Sequence, residues 1–158
     1  MNIGKSSIAN LKSSSTSGVR ILTHTHSNFY KMSDEEKDLL LKDLAARLHY
    51  GVMVDGPQHN VCALIGLQEH VATVVDCYNF AEKIGYPKPY LRPVKDMTDN
   101  EKMTMAAICL KYTASDDIEG MVSELLKFYC SNHLDYNHLI EKELAIAVTE
   151  ENNPYKAK

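Results

Sequence analysis

Tyr86-Pro87-Lys88-Pro89-Tyr90-Leu91-Arg92-Pro93-Val94 is the stretch that decides the fold, and we call it the proline segment. Its three prolines fix three φ angles and remove three backbone donors, so a helix cannot run through it. Each residue before a proline is pushed towards extended geometry. We therefore expect a stiff extended element here, either an edge strand or a polyproline II segment.

The residues before the proline segment predict one helix and then a small antiparallel sheet. A capping box at Ser33 and Glu36 starts the helix, which we expect over about 34–48. Its apolar stripe is Leu40, Leu41, Leu44 and Leu48, and its solvated outer face is Lys37, Asp38, Lys42, Asp43 and Arg47. Short runs rich in β-branched residues predict strands near 51–54, 61–67 and 70–78. Residues 79–85 suit a helical turn, and Tyr90-Leu91-Arg92 suits a fourth strand of a curled, SH3-like sheet.

The residues after the proline segment predict a helical hairpin and a short C-terminal helix and strand. A second capping box, at Thr98 and Glu101, starts a helix over about 99–112, whose expected core stripe is Met103, Ala106, Ala107 and Leu110. Asp116 and Asp117 cap a third helix, and its stripe is Ile118, Met121, Val122, Leu125, Leu126 and Tyr129. We expect Asn132 to end it in a left-handed conformation, and Asp135 to cap a short helix over 136–142.

The predicted fold is therefore α+β, with the strand-rich front and the helical back sharing a single interior. A last strand near 144–148 is expected to return to the sheet. Residues 32–150 form the expected single domain, and 151–158 a polar tail. The serine-rich stretch 1–31 has little apolar periodicity, so we interpret it as a disordered extension. Met32, directly before a helix cap, suits a natural start of translation, and the alternative is an arm that docks on a partner.

Several patches of the chain resemble a set of small uncharacterised proteins from gut Bacteroidales genomes and their phages or prophages. The resemblance rests on Lys37–Leu44, on Ala46–Val52 and on Lys88-Pro89-Tyr90-Leu91-Arg92-Pro93 followed by Met97-Thr98. Ser115–Ile118 and Asn132–Lys142 extend it. This sequence has His49 where such proteins usually have proline, and Glu143 where glycine is common. The resemblance implies a phage or mobile-element protein of the bacterial cytoplasm, and it implies no catalytic residue.

Composition and motifs exclude several kinds of site. The net charge of -4 argues against a broad nucleic-acid footprint. The four cysteines form no C-x-x-C pair, and no apolar run approaches the length of a membrane span. Cys130, His133 and His138 have the spacing C-x2-H-x4-H but lack a fourth ligand, and His24-x-His26 would bind a metal only adventitiously. We therefore expect neither a metal nor a cofactor.

The leading functional hypothesis is a non-catalytic accessory or interaction protein with a protein partner. Four side chains of the proline segment are the candidate binding residues: Tyr86, Lys88, Tyr90 and Arg92. The alternative structural role is that Tyr90 and Leu91 cover the core while the prolines protect a sheet edge. A second hypothesis is a small enzyme with a low-pKa thiol beside His49, His59 or His133. A third is a weak nucleic-acid binder that uses a basic patch: Lys83, Lys88, Arg92 and Lys95.

Overall fold

The structure, a computed structural model, describes residues 32–69, 71–76 and 81–156. The expectations for residues 1–31, for His24-x-His26, for Cys77 and for the end of the third strand lie outside these residues. The described residues contain three α-helices: α1 (Asp34–Arg47), α2 (Asp99–Thr113) and α3 (Ile118–Ser131). Six strands accompany them: β1 (Met53–Asp55), β2 (Val61–Gln68), β3 (Val71–Val75), β4 (Ala81–Gly85), β5 (Tyr90–Leu91) and β6 (Ile146–Ala147). The α+β class is confirmed.

All three helices begin at the caps that the sequence predicts. The Ser33 hydroxyl accepts from the backbone N–H of Glu36 at 3.2 Å, and the Glu36 carboxylate accepts from the backbone N–H of Ser33 at 2.7 Å. Thr98 and Glu101 form the same reciprocal box, also at 3.2 and 2.7 Å. Asp117 accepts from the backbone N–H of Gly120 at 2.9 Å. These bonds satisfy N–H groups that have no partner within the helix, so the start positions follow from local chemistry.

The main sheet is an antiparallel meander in the order β1-β2-β3-β4, with a register shift in β2 between Leu64 and Gly66. Its fourth strand is Ala81–Gly85, so the expectation of a helical turn in this region is wrong. Among the described strands no pairing joins β4 to β1. The sheet is therefore open, and the described part does not close into an SH3-like barrel.

The proline segment is extended, as predicted, and hydrogen bonds hold it along both edges. Its Tyr90–Leu91 strand pairs in parallel with β6, so it forms a separate two-stranded sheet and not the fourth strand of the meander. Asp55 donates its backbone N–H to the Lys88 carbonyl at 2.9 Å on the β1 side. Past β5, Arg92 bonds through its backbone to the loop after α3. The predicted C-terminal strand exists, but it joins the proline segment.

The buried apolar side chains of the described residues form two clusters, so the C-terminal segment shares the interior of the strand-rich front, as expected, but the α2–α3 hairpin packs in a second cluster. The first cluster joins α1, the meander, β5 and the C-terminal segment: Leu40, Leu44, Val52, Val54, Cys62, Leu64, Ala72, Val74, Leu91, Leu139, Leu144 and Ala145. The second joins the α2–α3 hairpin to its flanking segments: Met97, Ile108, Phe128 and Leu134. A polar network, described below, connects the segments that carry them.

The segment after α3 forms turns, so the predicted helix over 136–142 is wrong. Asp135 does accept from backbone N–H groups, those of Leu139 at 2.8 Å and Ile140 at 2.9 Å. His138 nevertheless has a φ of 56°, which interrupts the helical path. Asn132 caps α3 with a φ of -97°, and the left-handed residue is the next one, His133. No described helix is long and apolar enough to cross a membrane.

Candidate functional site

The four predicted binding residues of the proline segment do not share one open surface. Tyr90 is only 8% exposed, and Tyr86 is half-buried. The Arg92 guanidinium forms a bidentate ion pair with Glu101 at 2.7 and 3.0 Å, whereas Lys88 is exposed. The backbone bonds described above also give this segment a structural role. A binding role for these four residues stays a prediction.

The structure buries an ion pair of α1 inside the molecule, although the sequence pattern predicts both of its residues on the solvated outer face of the helix. Asp43 and Arg47 are both 0% exposed. The Arg47 guanidinium donates to both carboxylate oxygens of Asp43, at 2.6 and 3.0 Å, and Asn137 donates to one of them at 2.9 Å. Burial opposes the charge of Arg47, but the hydrogen bond and charge of Asp43 outweigh this and raise the pKa of Arg47. Arg47 is therefore charged, and its guanidinium forms a salt bridge with Asp43.

Two further side chains, Tyr136 and Cys130, interact with this ion pair, and the pKa of each is raised and not lowered. The Arg47 guanidinium lies 5.1 Å from the centre of the Tyr136 ring, a cation–π contact. Burial is the main cause that raises the pKa of Tyr136 to about 12. Burial also raises the pKa of the Cys130 thiol, and the charge of Arg47 offsets this only in part. An activated cysteine needs the opposite shift, so Cys130 has the properties of a structural thiol.

His133 stacks on Tyr155, with ring centres 3.9 Å apart and the planes 8° from parallel. The Tyr155 hydroxyl donates to the Tyr90 carbonyl at 2.8 Å and accepts from the Met53 backbone at 3.1 Å, so the C-terminal tail folds back on the strands. Burial first, and then the charges of Arg47 and Arg92, lower the pKa of His133 to about 4. This imidazole is therefore neutral at pH 7.

Two buried nitrogens at this network have no hydrogen-bond partner in the described part of the chain, Arg47 Nη1 and His133 Nδ1. Within residues 32–69, 71–76 and 81–156, no group of three histidine, cysteine or carboxylate side chains could hold a metal ion. The network thus offers a fixed charge pair, a neutral imidazole and a protonated thiol. This chemistry stabilises a fold and supplies no activated nucleophile.

The predicted core stripe of α2 faces outwards, and we call it the α2 outer face: Met103, Ala106, Ala107 and Leu110. Met103 is 71% exposed and Leu110 is 73% exposed, and both alanines are exposed. The helix instead buries Ile108, with Met105 and Tyr112 beside it. The expected orientation of α2 is therefore wrong by about half a turn.

Half of the predicted α3 stripe is exposed as well, and we call it the α3 row: Ile118, Val122 and Leu126. Their exposed fractions are 64%, 47% and 41%. They recur every four residues, so they form one line along the helix. The other residues of the predicted stripe, Met121, Leu125 and Tyr129, are half-buried, and the fully buried residue on this side is Phe128.

Contacts between the two helices fix which faces stay open. Glu124 accepts from Lys111 and from the Tyr112 hydroxyl, each at 2.7 Å, and the Tyr129 hydroxyl contacts the Met105 sulfur at 3.5 Å. These contacts place Met105, Tyr112 and Tyr129 between the two helices. The α2 outer face and the α3 row remain exposed, and they contain five of the nine exposed large apolar side chains of the described residues.

No family model, curated protein or solved structure matches this chain.

Proposed function

We propose that the protein is a non-catalytic interaction protein that binds a protein partner through the α2–α3 hairpin. The observation that carries this proposal is the exposure of five large apolar side chains on two consecutive helices, between 41% and 73%. Exposed apolar side chains that gather on one supersecondary unit mark interaction surfaces, whereas scattered single ones need no explanation.

The α3 row has the spacing of a helix that docks into an apolar groove. Its three side chains follow one another at intervals of four residues, so they lie on one side of the helix, as the anchor residues of a helix that binds in a groove do. The helix beneath them is held by Glu124 on the side of α2 and by Phe128 in the second cluster. A docking helix that is already folded loses little conformational entropy on binding.

The biological setting of this proposal rests on the sequence resemblance alone. The hexamer Lys88–Pro93 and the segment Asn132–Lys142 resemble proteins of gut Bacteroidales and their phages. We propose on this basis an accessory protein of a phage or mobile element that acts in the bacterial cytoplasm.

The competing functions lack a supporting observation in the described residues. An enzyme centred on a cysteine would need a thiol whose pKa is lowered, and the pKa of Cys130, three residues before His133, is raised. A nucleic-acid patch would use Arg92, whose guanidinium is already paired with Glu101.

A site-specific photo-crosslinker tests the proposed function. We would place p-benzoylphenylalanine at Val122 in the α3 row and, as a control, at Lys42 on the exposed side of α1, and irradiate each protein in a Bacteroidales lysate. We expect a discrete adduct with one protein from the Val122 probe and none of the same mass from the Lys42 probe. The captured protein, once purified, should bind the wild type at least tenfold more tightly than the I118E/V122E variant.

The matched control for this variant is I65E, because Ile65 is 54% exposed on the sheet. It should bind like the wild type. Identical adduct patterns from the two probes, or equal affinities of the wild type and I118E/V122E, would refute the proposed function.

A further inference from the structure

The phenol of Tyr155 lies where β1 meets the proline segment. Val54 forms an antiparallel bridge with Pro89, and because proline has no N–H, this pair exchanges no backbone hydrogen bonds. In an antiparallel ladder such pairs alternate with pairs that do exchange them. One residue further along, this register brings the Met53 N–H opposite the Tyr90 carbonyl. The Tyr155 hydroxyl bonds to both of these groups, so it joins the two strands at this position.

Three groups hold this phenol, and we call them the phenol socket: the Met53 N–H, the Tyr90 carbonyl and the face of the His133 ring. The N–H donates to the phenol oxygen at 3.1 Å, and the carbonyl accepts from it at 2.8 Å. The imidazole stacks on the phenol ring with the ring centres 3.9 Å apart. The phenol socket therefore fits a flat ring whose hydroxyl group donates and accepts at the same time.

The ionisation of the two rings suits this arrangement. Burial is the main cause that raises the pKa of Tyr155 to about 12, so at pH 7 the hydroxyl keeps the proton that it donates. The His133 imidazole is neutral at this pH, as described above. A ring without a hydroxyl, or with an ether oxygen in its place, would leave a backbone group of the phenol socket without its partner, and this lowers the affinity.

The tail segment, residues 149–156, bonds to the strands through this phenol. Among the described residues its other hydrogen bonds stay within the segment or reach the adjoining β6. The Asn152 amide, for example, donates to the Ala147 carbonyl at 2.9 Å, and the Lys156 ammonium donates to the Glu150 carbonyl at 3.1 Å. A segment that is fastened by one side chain can leave its site while the rest of the fold stays intact.

We propose that the phenol socket is a binding site for a hydroxyphenyl ring, and that the tail segment is its removable internal ligand. A ligand from solution, either a small phenol or the tyrosine side chain of a peptide, binds when Tyr155 leaves. The apparent affinity of the wild type is then lowered in proportion to the fraction of molecules whose socket is open. The proposal uses no residue of α2 or α3, so it goes beyond the proposed function.

Isothermal titration calorimetry of the full-length Y155G variant tests the site, because this variant empties the phenol socket. Y155G should bind p-cresol at least tenfold more tightly than toluene, which has no hydroxyl, and than p-methylanisole, whose ether oxygen accepts but cannot donate. The wild type should bind p-cresol at least tenfold more weakly than Y155G, since Tyr155 competes for the site. Y50G is the matched control, because Tyr50 is exposed, and it should bind p-cresol like the wild type.

Y155F keeps the ring and removes only the hydroxyl, so it tests the proposal even if circular dichroism shows that Y155G is unfolded. Its affinity for p-cresol should exceed that of the wild type, because its phenyl ring leaves both backbone groups of the phenol socket without a partner. An acetylated peptide with the sequence of residues 152–156 distinguishes the two sources of the ring. Tighter binding of the peptide than of p-cresol to Y155G would assign the site to a tyrosine peptide, and equal binding would assign it to the phenol ring alone.

Three results would each overturn the proposal: equal binding of p-cresol, p-methylanisole and toluene to Y155G, equal binding of p-cresol to Y155G and the wild type, or no gain in affinity for Y155F. Absence of binding to both variants would overturn it as well. None of these results would affect the photo-crosslinking experiment at Val122, so the phenol socket and the proposed function fail or stand separately.

Discussion

The side chain of Arg47 crosses from the end of α1 to the carbonyl oxygen of Leu134, 2.8 Å away and 87 residues further along the chain. Leu44 on the same helix belongs to the first apolar cluster, and Leu134 belongs to the second. The guanidinium group therefore connects the two clusters by a polar bond, with Asp43 as its counter-ion. This bond fixes how the hairpin end of the molecule sits on α1.

Replacing Arg47 with methionine should lower the free energy of unfolding by about 3–5 kcal/mol, because it leaves the Asp43 carboxylate buried without its cation. Urea unfolding at pH 7 measures the loss. The double variant D43L/R47M should recover most of it, since both charges then leave the interior together. K42M, which removes an exposed ion pair with Asp38, should change the value by under about 0.5 kcal/mol. A loss of under about 1 kcal/mol for R47M would contradict the stabilising role of the pair.

Replacing Glu101 with glutamine should lower the free energy of unfolding by about 1–2 kcal/mol at pH 7, because it removes the charge that pairs with Arg92. The hydrogen bond from Arg92 is the main cause that lowers the pKa of Glu101 from 4.5 to about 2. A lowered folded-state pKa gives a stabilisation that is fully present above pH 4.5 and is lost as the pH falls through about 2. Urea unfolding between pH 2 and pH 7 should therefore show the difference between wild type and E101Q shrinking in acid.

E36Q is the matched control for this prediction. Glu36 closes the same kind of capping box on Ser33, and it forms no ion pair with another described residue. Its substitution should change the free energy of unfolding by a few tenths of a kcal/mol only. An equal loss for E36Q and E101Q would assign the effect to the capping box and not to Arg92.

His133 should make the protein less stable as the pH falls from about 6.5 to about 4. The pKa of His133 is about 4 in the folded state against an ordinary value of 6.5. In this pH range the imidazole therefore binds a proton in the unfolded chain but not in the folded chain. Burial first, and then the charges of Arg47 and Arg92, keep the imidazole neutral. The loss should be about 1–2 kcal/mol after allowing for solvent screening, and urea unfolding at a series of pH values measures it.

H133N removes this titration and suits the left-handed backbone at that position, where φ is 53°. Its stability should change less than that of the wild type between pH 6.5 and pH 4. H49N is the control, because His49 is exposed, and it should keep the wild-type dependence. Parallel curves for H133N and the wild type would rule out the assignment to His133.

Glycine at position 143 should stabilise the protein by about 0.5–1 kcal/mol. Glu143 is exposed and has a φ of 58°, which glycine adopts without the steric cost that a side chain carries. The melting temperature of E143G should rise by about 1–4 °C in a thermal scan. Glu141, in the same turn region, is not left-handed, and E141G should give no increase. A melting temperature of E143G at or below that of the wild type would contradict the prediction.

The helix starts could be predicted from the sequence because a cap is a local pattern. Ser33 with Glu36 and Thr98 with Glu101 need only each other and the intervening backbone. The buried face of α1 could not be predicted in the same way. Leu40, Asp43, Leu44 and Arg47 occupy positions i, i+3, i+4 and i+7, which is an ideal core stripe, but two of them are charged. The Leu134 carbonyl and the Asn137 side chain form the hydrogen bonds that permit this burial. Both lie far from α1 along the chain, so a local sequence pattern cannot indicate them.

The orientation of α2 could not be predicted because the helix has two apolar faces. Met105, Ile108 and Tyr112 form one, and Met103 and Leu110 lie on the other. The apolar periodicity indicates both faces equally, and only tertiary contacts determine which face is buried. The strand β4 could not be predicted for a similar reason. Ala81–Gly85 has weak strand propensity, and its pairing with β3 determines its structure.

The division of the buried apolar side chains has a kinetic consequence. Because Ile108 and Phe128 pack apart from the cluster around the meander, α2 and α3 can unfold transiently while the strands stay intact. Backbone amides of these two helices should then exchange their hydrogens with deuterated solvent sooner than those at the centre of β2 and β3. The hairpin would thus behave as a separate cooperative unit, held to the rest of the chain by the bond from Arg47 to the Leu134 carbonyl, by the Arg92–Glu101 ion pair and by the backbone of its neighbours.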